Sequence, residues 1–151
     1  MDFIAEMKGT VKLDHRYENF HKGLRDIMKF ESKDVFMLGV VLGYKHNRYT
    51  DDLEGGGVEF RPVYLSSEDK NVLYAIAYDI HGEDFLNKVA DKEFQRELFQ
   101  LFFRYSNGGM DILYEEVFKD NMTEGQFRKN YLEYDSDLLK YMYQTMVEAP
   151  F

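Results

Sequence analysis

Lys33-Asp34-Val35-Phe36-Met37-Leu38-Gly39-Val40-Val41-Leu42-Gly43-Tyr44-Lys45 is the stretch that decides the fold. From Val35 to Tyr44 it is apolar nearly all round, so as a helix it has no side to offer to water and is buried centrally or at a subunit interface. Gly39 and Gly43 lie four apart on one face and permit close helix approach, offsetting a helix penalty of about 1 kcal/mol each. The apolar run is far too short to span a bilayer.

Working back from this segment, Glu31-Ser32 reads as a break and cap. Before it, Tyr17, Phe20, Leu24, Ile27 and Met28 repeat at helical spacing, with Arg16, Lys22, Arg25 and Lys29 mostly off that stripe. Thr10-Val11-Lys12-Leu13-Asp14 alternates apolar and polar residues as a short strand does. Working forward, residues 46 to 57 form a polar connection ending in Gly55-Gly56-Gly57, the composition of an exposed, mobile loop. Val58-Glu59-Phe60-Arg61 alternates briefly before Pro62, which argues against a central strand.

Ser66-Ser67-Glu68-Asp69 has the form of a capping box opening a helix that carries Val72, Leu73, Ile76, Ala77 and Ile80 inward and stops near His81-Gly82. A short helix over 84–89 precedes a longer one with Phe94, Leu98, Leu101, Phe102 and Tyr105 on one face. Asn107-Gly108-Gly109 reads as a left-handed stop, after which Met110 to Lys119 resumes as a helix. Thr123-Glu124-Gly125-Gln126 reads as a second capping box, and a last helix starts at about Asp137 with Leu138, Leu139, Met142, Tyr143 and Met146. The expected fold is mainly α: a compact bundle of about six helices in a single domain over 1–151, with one or two short strands near residues 10–14 and 58–64.

Composition narrows the chemistry. With 151 residues, 44% hydrophobic and 17% aromatic, one well-packed domain is the expectation. The absence of cysteine removes disulfides, thiol nucleophiles and thiolate metal sites, and it fits a reducing compartment. Met1-Asp2-Phe3-Ile4-Ala5-Glu6 lacks the basic flank and apolar run of a signal peptide, so the expected location is cytoplasmic, with no membrane partner. The net charge of −9 is polarised along the chain: residues 8 to 48 hold nine basic against five acidic side chains, and residues 49 to 151 hold 10 against 21. Lys8, Lys12, Arg16, Lys22, Arg25 and Lys29 are therefore the candidate nucleic-acid contacts.

No catalytic constellation is legible. His15 and His21 flank Glu18 at i, i+6 and lie about 240° apart around a helix, whereas a zinc-binding pair prefers i, i+4. Two solvent-facing histidines are the expectation there. Asp51-Asp52-Leu53-Glu54 lacks the alternate-position ligands of a calcium loop. A magnesium-dependent nuclease on Asp51, Asp52, Glu54 and Glu59 is the weakest of three function classes. Neither glycine cluster is followed by the Lys-Ser or Lys-Thr of a phosphate cradle, and none of the five serines sits in a nucleophile elbow. Metal ions and cofactors are expected to be absent, and a non-enzymatic role follows.

Three blocks in order, Lys33 to Lys45, Leu73-Tyr74-Ala75-Ile76-Ala77, and Tyr105-Ser106-Asn107-Gly108-Gly109-Met110-Asp111-Ile112-Leu113, resemble the small accessory proteins associated with bacterial DNA phosphorothioation (Dnd) systems. The resemblance covers roughly residues 30 to 118 and rests mostly on packing and capping residues. It implies membership of a defence operon, other proteins of that operon as partners, and no catalytic residues to carry over. An adaptor fits the acidic balance better than tight DNA binding. Phe36, Gly39, Val40, Gly43 and Tyr44 are the candidate interface, with a homo-oligomer as one form it could take. The alternative is a ribbon-helix-helix-like regulator in which strand 10–14 pairs with its copy and the basic N-terminal segment meets DNA.

Overall fold

The computed structural model describes residues 2–148. These form a mainly α fold of seven α-helices and two short antiparallel strand pairs. The helices are α1 (Phe3–Glu6), α2 (Glu18–Met28), α3 (Ser32–Lys45), α4 (Ser67–His81), α5 (Glu83–Lys88), α6 (Lys92–Leu113) and α7 (Tyr134–Glu148). β1 (Val11–Asp14) pairs with β2 (Gly56–Phe60), and β3 (Met122–Thr123) pairs with β4 (Gln126–Phe127).

The apolar segment is α3, and it lies at the centre of the molecule. Phe36, Met37 and Val40 belong to one apolar cluster with Phe3, Ile4, Leu13, Phe60, Leu73 and Phe102. Val35 and Leu42, from the other side of the same helix, belong to a second cluster with Phe20, Leu24, Met110, Leu113, Phe118 and Tyr134. A helix shared by two cores turns most of its surface inward, which is why its sequence is apolar nearly all round, although Val41 faces solvent. Four of the five candidate interface residues, Phe36, Gly39, Val40 and Gly43, are buried within the chain's own interior, so that expectation is corrected. Tyr44 is half-buried, its ring edge-on to Tyr105 and its hydroxyl donating to the Asp79 carboxylate.

The partner of α3 is α6, and the contact is backbone on backbone. A Cβ on Gly109 would lie 2.0 Å from the Gly39 carbonyl oxygen, and one on Gly43 would lie 2.1 Å from that of Tyr105. A Cβ on Gly108 would meet the Arg48 carbonyl oxygen at 2.1 Å. Gly108 and Gly109 therefore do not stop a helix: α6 runs unbroken through them to Leu113, and they are glycine because α3 and the chain after it leave no space for a side chain. Beyond Leu113 the chain makes one wide π-helical turn, Tyr114–Phe118, and a 3-10 turn, Lys119–Asn121.

Caps fix where the helices begin. At α4 the Asp69 N–H donates to Ser66 Oγ (3.0 Å) while the Ser66 N–H donates to Asp69 Oδ2 (2.9 Å), the reciprocal box read from the sequence. Lys33 Nζ bridges Asp34 and Asp69 at 3.2 and 3.0 Å, tying the starts of α3 and α4 together. The second expected box is absent. Residues 123–126 are instead the turn of the β3–β4 hairpin, with Glu124 at φ 54° and Gly125 at φ 78°, both in the left-handed region. The last helix begins at Tyr134, three residues earlier than expected.

Candidate functional site

Two features stand out. One is a buried polar seam; the other is an apolar helix face turned to solvent.

The seam centres on Asp14, at the end of β1, which is only 4% exposed. Its Oδ1 accepts from the Arg16 backbone N–H (3.0 Å) and Arg16 Nε (2.9 Å). Its Oδ2 accepts from Arg16 Nη2 (2.6 Å), the Glu54 backbone N–H (3.0 Å) and Asn107 Nδ2 (3.2 Å). Burial alone would raise this carboxyl. The bonds from Arg16 and from the Glu54 backbone outweigh it and hold the group well below the usual carboxylate range. Arg16 reaches on to Asp52 (3.4 Å) and Glu54 (3.6 Å). Asn107, buried in mid-α6, also donates to Thr50 Oγ1 (3.3 Å). The 46–57 connection, expected to be a free loop, is thus tied to β1 and to α6 by named bonds.

Beside the seam, Tyr17 hydrogen-bonds Asp111; burial first, and then that bond, push the tyrosine hydroxyl above its ordinary value. Burial raises the Asp111 carboxyl, against the pull of Tyr17 and Arg48. His21, expected at the surface, is 1% exposed, and neither ring nitrogen has a hydrogen-bond partner among the described residues. Desolvation lowers it to about 4. It is a neutral core histidine on the inward face of α2.

Asp14, His15 and Glu54 bring one possible ligand atom each to within 4.8 Å of one another. They are poor metal ligands as arranged. Five N–H groups already point at the two oxygens of Asp14, more than the roughly four lone-pair positions a carboxylate offers. His15 Nε2 and Glu54 Oε2 are bonded to each other at 2.9 Å. Among the described residues, Asp51, Asp52, Glu54 and Glu59 do not converge on a common point: Glu59 sits on β2 facing Lys12 (3.7 Å), while Asp52 and Glu54 face Arg16.

The basic N-terminal residues are distributed in the same way. Lys12 pairs with Glu59, Arg16 with Asp14, and Lys22 with Glu18 (3.2 Å). Arg25 donates to Ser32 Oγ (3.0 Å). Lys8 is exposed, as is Lys29, which caps α2 in a left-handed conformation. β1 has one edge occupied by β2 of its own chain, whereas a ribbon-helix-helix dimer pairs that strand with its copy.

Sequence reasoning missed the outward face of α7. Tyr134 and Leu138 are buried against the second core, but Leu139, Tyr143, Met146 and Val147 are 71, 67, 67 and 63% exposed. Leu132, just before the helix, is 81% exposed. The signal was present: Leu138 and Leu139, then Met142 and Tyr143, are adjacent apolar pairs, and one helix face cannot bury both members of each pair.

Comparison of the chain with protein-family models, with curated proteins and with solved structures gives no match in any of the three. No helix among the described residues is long and apolar enough to cross a membrane.

Proposed function

We propose that the chain is a non-enzymatic accessory protein that works by binding other proteins, and that the outward face of α7 is its binding surface. The observation that carries this reading is the row Leu139, Tyr143 and Met146 at spacings of four and three, each about two-thirds or more exposed. Large apolar side chains clustered in solvent mark interaction sites, and tyrosine and methionine are enriched at them. The non-enzymatic part is supported by the seam: its titratable groups are engaged with one another and hold β1, the 46–57 connection and α6 together. The three sequence blocks suggest the setting, a DNA phosphorothioation-linked or related anti-phage defence system, with its other proteins as partners.

The test is co-purification. Tagged protein is isolated from a host carrying the phosphorothioation genes, as wild type and as the double variant Leu139→Asp, Tyr143→Asp. Loss of the companion proteins at least tenfold, with an unchanged circular dichroism spectrum, is the expected result. Equal recovery by both proteins refutes the assigned surface, and turnover of plasmid DNA by the purified chain alone refutes the non-enzymatic reading.

A further inference from the structure

A small pocket of about 250 Å³ opens where three parts of the chain meet: the entry to α2, the end of α6 with Tyr114 just after it, and the β3–β4 hairpin. It is smaller than the roughly 300–1,000 Å³ of sites for drug-sized ligands, so it takes a compact group. Arg16 joins it to the buried seam, and none of the exposed α7 residues lines it.

Three aromatic rings stand around it, those of Tyr17, Phe20 and Tyr114, and Met110 and Met122 complete the apolar lining. Phe20 and Tyr114 are perpendicular, 82° apart with ring centroids at 6.5 Å. Phe20 is held in place from behind: it is stacked on Phe127 (5.5 Å, 16°) and edge-on to Phe118 (5.9 Å). Tyr17 is held by the bond from its hydroxyl to Asp111. Two of the three rings are thus fixed before anything enters, and Tyr114, 45% exposed, forms the side open to solvent.

One charge in the lining lacks a counter-charge. Arg16 borders the pocket, but its guanidinium is committed to Asp14 (2.6 Å) and Asp52 (3.4 Å). Arg48, the other guanidinium acting on Asp111, is held by Glu115 through two bonds of 2.6 and 2.7 Å. Asp111 has no ion pair among the described residues, its bond from Tyr17 comes from a neutral hydroxyl, and burial raises its carboxyl above the ordinary value. Taken together, the cations of this cluster are Arg16, Arg48 and Lys119, and the carboxylates are Asp14, Asp52, Glu54, Asp111 and Glu115, so the local balance is negative. A carboxylate short of compensation in a half-buried pocket favours a cation.

The lining decides which cation. A primary ammonium brings three N–H donors, and rings and thioethers offer them poor acceptors. A fully methylated ammonium has no donor to satisfy, and its charge is attracted to aromatic faces. We propose that the pocket binds a quaternary ammonium group, with Tyr17, Phe20 and Tyr114 around its methyls and the Asp111 carboxylate countering its charge. Such a group occurs on free choline-like molecules and on trimethylated lysine, and the titration below separates the two sources.

The test titrates the intact chain while following the amide resonances of Asp111, Tyr114 and Gly125. The probes are choline, its neutral carbon isostere dimethylbutanol, ammonium chloride at matched ionic strength, and a short peptide carrying either trimethyl-lysine or plain lysine. The expected result is a saturable shift with choline, and at least tenfold weaker binding of the neutral isostere and of ammonium. Tyr114→Leu and Asp111→Asn are each expected to weaken choline at least fivefold with an unchanged circular dichroism spectrum, and Tyr114→Phe, which keeps the ring, to retain it. Asp111→Asn preserves the shape and reads the charge even if Tyr114→Leu does not fold. A trimethyl-lysine peptide that binds at least tenfold tighter than choline and than its plain-lysine counterpart supports a modified protein as the source; any smaller advantage over choline supports a free small molecule. Isostere or ammonium binding as tight as choline overturns the proposal. So does binding that neither Tyr114→Leu nor Asp111→Asn moves, and so does the absence of any saturable shift with both choline and the trimethyl-lysine peptide.

Discussion

His21 is shut off from water and has no hydrogen-bond partner among the described residues, so it is neutral in the folded chain. Its folded value of about 4 lies below the ordinary 6.5, so below pH 6.5 the unfolded chain takes up a proton that the folded chain refuses. Stability is therefore expected to fall as pH drops from 6.5 towards 4, by roughly 3 kcal/mol at most, and to lose this dependence in His21→Leu, as urea unfolding at a series of pH values would register. Asp14 acts in a separate window. Its folded value is depressed, so its contribution is present above the ordinary carboxylate value of 3.8 and is lost as pH falls below it. Asp14→Ala is expected to cost roughly 3 kcal/mol, because it removes one of the two acceptors of the Asn107 amide and leaves Arg16 without its closest carboxylate. Neither role was legible in the sequence. His21 falls within the stripe of a helix whose basic neighbours suggested solvent, and the Asp14–Asn107 bond joins residues 93 positions apart.

At the scale of elements, the same local signal meant different things in different places. Ser66 to Asp69 was readable because a capping box is complete within four residues. Thr123 to Gln126 has a similar appearance, yet the chain there turns back on itself, and Glu124 takes the left-handed conformation that asparagine takes at lower cost. Glu124→Asn is expected to stabilise the hairpin by about 0.5 to 1 kcal/mol, measured as a shift in denaturation midpoint. Asn107-Gly108-Gly109 is a helix stop by every local criterion. What overrides it is Gly39, distant in sequence, whose carbonyl lies where a side chain at 109 would go. Gly109→Ala should thus destabilise by roughly 3 kcal/mol even though alanine is the better helix former, the overpacking at the crossing outweighing a propensity gain of about 1 kcal/mol. The mainly α character was visible in the periodicity and the start of α4 in its capping box; periodicity also marked α3 as buried but left the molecule's centre and a subunit interface equally open, and its crossing partner was not legible because nothing local specifies it.

At the scale of the whole molecule, α3 makes two apolar clusters into one structure. Phe36 and Val40 cannot leave the first without drawing Val35 and Leu42 from the second. Amide exchange or NMR intensities for residues of the two clusters, such as Leu73 and Leu113, are expected to report a single common midpoint in denaturant; two separated transitions would show that the clusters are independent. The close seating of α3 on α6 also bears on how the chain is made. Ser106 Oγ bonds to the carbonyl of Phe36 across 70 residues of chain, so the most apolar helix emerges from a ribosome well before its seat does. At 5–20 residues per second it waits bare for roughly 4 to 14 s, an interval in which a nascent-chain chaperone has its best target and an unguarded chain its greatest tendency to aggregate.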